Sequence, residues 1–284
     1  MLVLEPEAPP ATKEPTAAPL GATGTALRID GVSKSYRRGS QVLHVLREVS
    51  FAMEAGEVLS VIGMRAAGKT TLLEIAAGME SADAGAVRFA GTELTALSDG
   101  ELSGLLGGQI AWAGKSGPGM RMRLLDYVAM PLLAGRAAGK RGDRRARRQQ
   151  GQGVYARAWA ALERVGAQEC AEAQWAQISD WERALVEIAQ GIAGNPDLLL
   201  IDDLTDTLGI RETDELGALL RSLAQEAGMG ILMSVSDAQA TLWSDRIMTL
   251  AGGRLAEGPR ASAANVIELP DLAARREIQR GGIQ

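Results

Sequence analysis

The chain holds a single cysteine, Cys170, and a single histidine, His44. It can close no internal disulfide, and the two together make no Cys/His cluster for a metal ion. Aromatic residues are only 4% of it, and no apolar run reaches the ~18 residues that a membrane-spanning helix needs. The N-terminus, Met-Leu-Val-Leu-Glu-Pro-Glu, has neither a basic start nor a long apolar centre. It does not read as a secretory signal, so a cytoplasmic location is expected. An excess of positive charge is missing too: 30 Lys and Arg stand against 35 Asp and Glu, a net charge of −5 that offers no general attraction to nucleic acid. What remains is 284 residues, 46% hydrophobic, enough to bury a sizeable core in one large or two small domains.

Residues 1–25, with Pro6, Pro9, Pro10, Pro15 and Pro19, read as a disordered tail rich in Pro and Ala. Globular patterning begins at Ala26, with short strand candidates at 26–29, 49–53, 58–62 and 87–90. A helix is expected after Lys69, helical periodicity returns after Arg123, and a helix is expected over 155–165. The basic stretch 140–148 before it reads as a solvated helix face or loop. Ser179 opens a helix whose apolar stripe is Trp181, Ala184, Leu185, Ile188 and Ile192, and Gly194-Asn195-Pro196 stops it. A buried strand at 198–201, an amphipathic helix at 211–225 and a strand at 231–235 follow; the segment from 258 to 284 is weakly patterned and reads as a tail. Strands alternating with helices predict a largely parallel α/β sheet.

Residues 63–70 read Gly63-Met64-Arg65-Ala66-Ala67-Gly68-Lys69-Thr70, a complete Gly-x-x-x-x-Gly-Lys-Thr loop entered from a strand and left into a helix through Thr71. That is the setting in which such a loop binds phosphate. Gly63 and Gly68 let the chain wrap closely, backbone N–H groups along Ala66, Ala67 and Gly68 turn toward the anion, and the helix adds its positive N-terminal end. Lys69 is expected on the β- and γ-phosphates and the Thr70 hydroxyl on Mg2+. Ala66 stands where such loops often carry another glycine, and a Cβ there crowds the ligand. A second signal is the apolar run ending in Asp202-Asp203. An open α/β sheet presents ligand groups at the carboxyl edges of its strands, and Asp202 is the expected second holder of Mg2+.

Over residues 27–257 the chain resembles the ATP-binding subunits of ABC transporters, among them those of the lipoprotein-releasing and macrolide-export type. The resemblance implies an ABC-type P-loop NTPase core over 26–257, with a mixed sheet and a helical subdomain at about 116–190. It implies ATP and Mg2+ as ligands, a membrane permease as partner and a peripheral place on the inner face of the cell membrane. The stretch Ser33-Lys34-Ser35-Tyr36-Arg37-Arg38-Gly39 is similar to the family's A-loop, which makes Tyr36 the residue that stacks on adenine. Ile178-Ser179-Asp180-Trp181-Glu182 aligns with the signature Leu-Ser-Gly-Gly-Gln/Glu, so Ser179, Asp180 and Trp181 occupy the signature positions.

At most positions that turn ATP over, the chain departs from that family. The glutamate after Walker B is Asp203, the switch histidine is Ser236, the Q-loop glutamine aligns with Lys115 unless a slip promotes Gln109, and the D-loop aspartate is Gly209. In the signature, Asp180 brings a like charge toward a phosphate and Trp181 fills space the phosphate needs; equally, Ser179-x-x-Glu182 is a capping box worth ~1 kcal/mol to its own helix. Together these predict an ATP-binding transporter subunit with weak or absent turnover, Asp203 and Ser236 being what is left of the catalytic set. A second ATP-binding subunit is expected beside it, in a heterodimer rather than a homodimer. The alternative is a nucleotide-responsive regulatory pseudo-ATPase without a transport role.

Overall fold

A long antiparallel hairpin, β1 (Thr25–Arg38) and β2 (Gln41–Glu54), pairs Tyr36 with Leu43 near its turn. β3 (Val58–Ile62) then runs into the glycine loop and α1 (Lys69–Ala76). β4 (Ala84–Phe89) and β5 (Thr92–Glu93) extend the hairpin's sheet, and α2 (Asp99–Leu106) leads to β6 (Ile110–Gly114). Three helices follow, α3 (Leu124–Ala137), α4 (Arg144–Val165) and α5 (Asp180–Ile192), and they pack on one another. The chain closes with β7 (Leu198–Asp202), α6 (Ile210–Ala227), β8 (Gly230–Val235), β9 (Arg246–Ala251) and β10 (Arg254–Glu257). This computed structural model describes residues 24–258 except 40, 107, 116, 120 and 138–143. The expected tails therefore lie outside the described residues, apart from their inner ends, and the basic stretch 140–148 lies partly outside them.

Among the described residues the strands form a four-stranded sheet, β2-β1-β4-β5, and a six-stranded sheet, β10-β9-β3-β8-β7-β6, parallel except for β10. The parallel strands are apolar on both faces because both faces are covered. Leu199 and Ile201 of β7 point with Ile231, Met233 and Val235 of β8 into the core beneath the helices. Leu198, Leu200 and Leu232 point the other way, against β1, β2, β4 and α1. Both cores rest on the same backbone ladders, so the sheet's register is determined from two sides.

The sequence expectation of a largely parallel sheet holds for this sheet only; the other is antiparallel throughout. The strands expected at 26–29 and 49–53 belong to 14-residue strands, because a hairpin ladder carries polar residues that no apolar run marks. The strand expected at 87–90 ends at Phe89, since Ala90 turns out of the ladder at φ +49°. The helix expected over 155–165 begins at Arg144, so much of the basic stretch is helical. α2 and β6 went unread as elements: Gly100 and Gly104 disguise the first, and the second is a five-residue edge strand. At α5, Ser179 caps as expected, with its Oγ accepting from Glu182 N at 3.2 Å while Glu182 Oε2 accepts from Ser179 N at 2.8 Å.

One side chain on the buried face of α5 is charged by type. Glu187 is 2% exposed, and it accepts from Tyr127 Oη of α3 at 3.1 Å and from Gly117 N, in the loop behind β6, at 2.9 Å. Burial pushes its carboxyl up to about 7 from the usual 4.5, although these bonds pull the other way. The unfolded chain therefore releases this proton near 4.5 while the folded chain keeps it to about 7, so the group's contribution to stability falls as pH rises through that window. Glu187→Gln keeps the shape and removes the proton equilibrium. Relative to the parent, the variant should gain ~2–3 kcal/mol between pH 4.5 and 8, read from urea midpoints. Parallel stability curves for the two proteins would show that Glu187 is solvated as usual.

Candidate functional site

The parallel register brings the carboxyl ends of β3, β7 and β8 side by side, with Ile62 opposite Val235 and Asp202 opposite Ser234. The loop behind β3 curls over that edge. It needs its glycines: a Cβ on Gly63 would lie 2.6 Å from the Leu250 carbonyl oxygen, and one on Gly68, at φ +100°, would lie 2.6 Å from Val45 Cγ1. Ala66 adopts φ +63°, a left-handed conformation that costs a residue with a Cβ on the order of 1 kcal/mol. Val45, Arg65, Ala66, Ala67, Gly68, Lys69, Thr70, Thr71, Asp202, Asp203 and Ser236 line an open cleft of about 280 Å3 there.

Lys69 opens α1 and is 7% exposed, so its ammonium must find partners inside the protein. Nζ donates to Gly63 O at 2.7 Å, to Met64 O at 3.3 Å and to Ser236 Oγ at 3.1 Å. One residue on, Thr70 Oγ1 donates to Asp202 Oδ2 at 2.9 Å, and Ser234 Oγ donates to Asp202 Oδ1 at 2.6 Å. Ser236 Oγ donates in turn to Asp203 Oδ1 at 3.2 Å. Burial pushes the Asp203 carboxyl up, and its hydrogen bond with Asp206 and that group's charge push the same way, while Lys115 and Lys69 pull against them. Asp206 moves down despite burial, because its bonds to Asp203 and Lys115 outweigh it. Lys115 Nζ lies 3.1 Å from Asp206 Oδ2 and 3.8 Å from Asp203 Oδ2.

The structure thus places the predicted residues of the glycine loop with Asp202, Asp203 and Ser236 at one sheet edge. Tyr36 does not itself line the cleft: it stands on β1, 38% exposed, with Lys34 Nζ 5.3 Å from its ring centre, while its hairpin partner strand lends Val45 to the cleft. Ser179, Asp180 and Trp181 begin α5 and do not line the cleft. Asp180 Oδ1 accepts from Arg183 at 2.7 Å, and Trp181 packs, partly buried, on the helical core. Of the two candidates for the Q-loop position, Lys115 faces the site, whereas Gln109 donates to Asp197 at the other end of the strand. Sequence reasoning missed Asp206 and Ser234. Both carried a signal, Asp206 as a third carboxylate within five residues and Ser234 as the one polar residue in an apolar strand.

A strand, a phosphate-type loop leading into a lysine-bearing helix, and a carboxylate at the end of β7, one strand beyond β8, define a P-loop NTPase. The ABC transporter family matches residues 46–206. The lipoprotein-releasing system ATP-binding protein LolD of Chromohalobacter salexigens is 31% identical over 232 residues, 81% of this chain and 93% of LolD. The chain belongs to the ABC transporter family, as an ATPase cassette homologous to transporter ATP-binding subunits. Solved structures agree in fold. A dimeric, post-hydrolysis state of the ATP-binding cassette MJ0796 bound to ADP and phosphate superposes with a TM-score of 0.73 at 23% identity, over 84% of this chain and 99% of that one. For cbiO1 of Clostridium perfringens, part of the transporter complex cbiONQ, the TM-score is 0.68 at 19% identity, over 90% and 94%.

Ala66→Gly tests the strain in the loop. Removing a Cβ from a positive-φ site should stabilise the protein by ~0.5–1 kcal/mol in urea unfolding at unchanged m value, since relief of strain exceeds the added freedom of the unfolded chain. A loss of stability would show that the Ala66 methyl is favourably packed.

Proposed function

We propose that this chain binds MgATP in the cleft at the edge of β3, β7 and β8, as the ATP-binding subunit of a membrane transporter. The observation that carries the reading is Lys69 held by two loop carbonyls and Ser236 beside the bonded pair Thr70 and Asp202. Membership of the ABC transporter family implies ATP binding, typically with Mg2+. The residues fit that ion: a hydroxyl and a carboxylate are hard oxygen donors, and two of them suit a metal that keeps waters and phosphates as its other ligands. Thr70 and Asp202 would hold it, Ser234 orienting the carboxylate, and when bound it offsets charge on the phosphate oxygens. Lys69 contributes a point charge, and the N–H groups of Ala66, Ala67 and Gly68 supply directional donors.

Hydrolysis by this set is slow in our reading. Asp203 is one methylene shorter than the glutamate the family resemblance implies, bonds to Ser236 and Asp206, and is pushed toward its protonated form. A water's proton then meets a carboxyl that is short of reach and already engaged, and a misplacement of ~1 Å costs on the order of a hundredfold. Ser236 has no second ionisable state with which to follow the γ-phosphate. No helix among the described residues is long and apolar enough to cross a membrane. Attachment through a permease on the membrane's inner face is our inference from the homology to transporter ATP-binding subunits. We further infer a second ATP-binding subunit. The surface pair Asp180–Arg183 offsets little of the Asp180 charge, and a head-to-tail homodimer would bring that charge to a phosphate twice.

Titration calorimetry with MgATP tests the site. Lys69→Ala should lose most of the affinity, and equal binding by parent and variant would remove Lys69 from the phosphates. Steady-state turnover of the isolated chain should stay well below ~1 per second, the low end for ordinary enzymes. Asp203→Glu alone should raise it little, because groups acting as a unit are non-additive. Light scattering should find no ATP-driven dimer of the chain on its own; a clear one would overturn the heteromeric assembly.

A further inference from the structure

Beyond Lys69, the cleft is bounded by carboxylates. Asp202 ends β7 and Asp203 follows it, both lining the cleft, and Asp206 stands one turn later behind them, hydrogen-bonded to Asp203. A triphosphate, itself several times negative, has to approach that group. Lys69 is already committed to Gly63 O, Met64 O and Ser236. A second cation, Lys115, lies within 4 Å of both Asp203 and Asp206. Its backbone leaves the sheet directly after Gly114, which pairs with Asp202 in the β6–β7 ladder. Two residues further on, Gly117 N is tied to the buried Glu187, itself held by Tyr127. The backbone on either side of Lys115 is thus held, by a strand end at Gly114 and by a buried anchor at Gly117.

We propose that Lys115 is an affinity-determining cation of the nucleotide site: it compensates Asp206 and the adjoining Asp203, so that a nucleoside triphosphate binds with reduced dependence on Mg2+. The inference rests on the nucleotide reading given above. A neutral glutamine, which the family resemblance implies at this position, would leave Asp206 uncompensated against the incoming phosphates. Lys115 and Asp206 accordingly form a matched pair, in which loss of the cation alone harms binding and loss of both does not.

Calorimetry on the full chain, with ATP in excess Mg2+ and then in EDTA, separates the possibilities. Removing Mg2+ should weaken the parent by about tenfold or less and Lys115→Gln by about a hundredfold or more, the difference shrinking at high salt as a half-exposed pair is screened. Adding Asp206→Ser to Lys115→Gln should return MgATP affinity to within about threefold of the parent, a rescue that a merely structural lysine would not allow. Thermal unfolding checks that all three proteins are folded. Equal Mg2+ dependence in parent and Lys115→Gln, or a double variant as weak as the single one, overturns the proposal while leaving the nucleotide reading in place. ATP binding by the parent in neither condition overturns both.

Discussion

A buried ammonium governs the shape of this sheet edge. Lys69 is almost fully enclosed, and an unpaired charge there would cost several kcal/mol. Its three bonds join the start of the glycine loop, the helix that the loop opens and the end of β8. The Gly63–Val235 and Asp203–Ser234 backbone bonds lie within the same frame. The loop can close on Lys69 only because Gly63 and Gly68 carry no Cβ, and it accepts strain at Ala66 to do so. The conformation of the loop and the ends of β3 and β8 are therefore not separable features here, because one cation bonds to all of them.

A second buried group acts on the other flank. Where a small residue would simply let α5 lie against the sheet, Glu187 reaches the loop behind β6 and Tyr127 of α3. It joins the helical layer to the strand that delivers Lys115. The same helix starts with a capping box whose hydrogen bonds serve the helix itself, Asp180 turns back to Arg183, and Arg183 lies 5.7 Å over the Trp175 ring while donating to its carbonyl at 3.2 Å. The helix start is thus internally satisfied. Its polar groups are bonded to neighbours on the same chain.

Legibility in the sequence followed signal strength. The glycine loop, Asp202 and the helix capped by Ser179 were readable because each is a dense local pattern: fixed spacing, an apolar run ending in carboxylates, a cap with its Glu three residues on. The long hairpin is only half legible, since its outer end faces solvent whatever its chemistry, Val42 and Leu43 included, and shows no buried face to mark it. β6 leaves no mark in the sequence, because five residues at a sheet edge offer too little periodicity to stand as a strand.

The sequence by itself determined the class of fold, the phosphate loop and the identity of the residues that depart from the family, because these depend on neighbours a few positions apart. Only the tertiary structure decided that Asp203 shares its hydrogen bonds with Ser236 and Asp206, that Lys115 rather than Gln109 faces them, that Ser234 orients Asp202, and that Glu187 is buried beneath all of it. Those partners lie 3 to 91 residues apart along the chain and meet because parallel strands stack their carboxyl ends on one edge. The electrostatics of a site arise from distance and burial, and for residues this far apart the fold sets both.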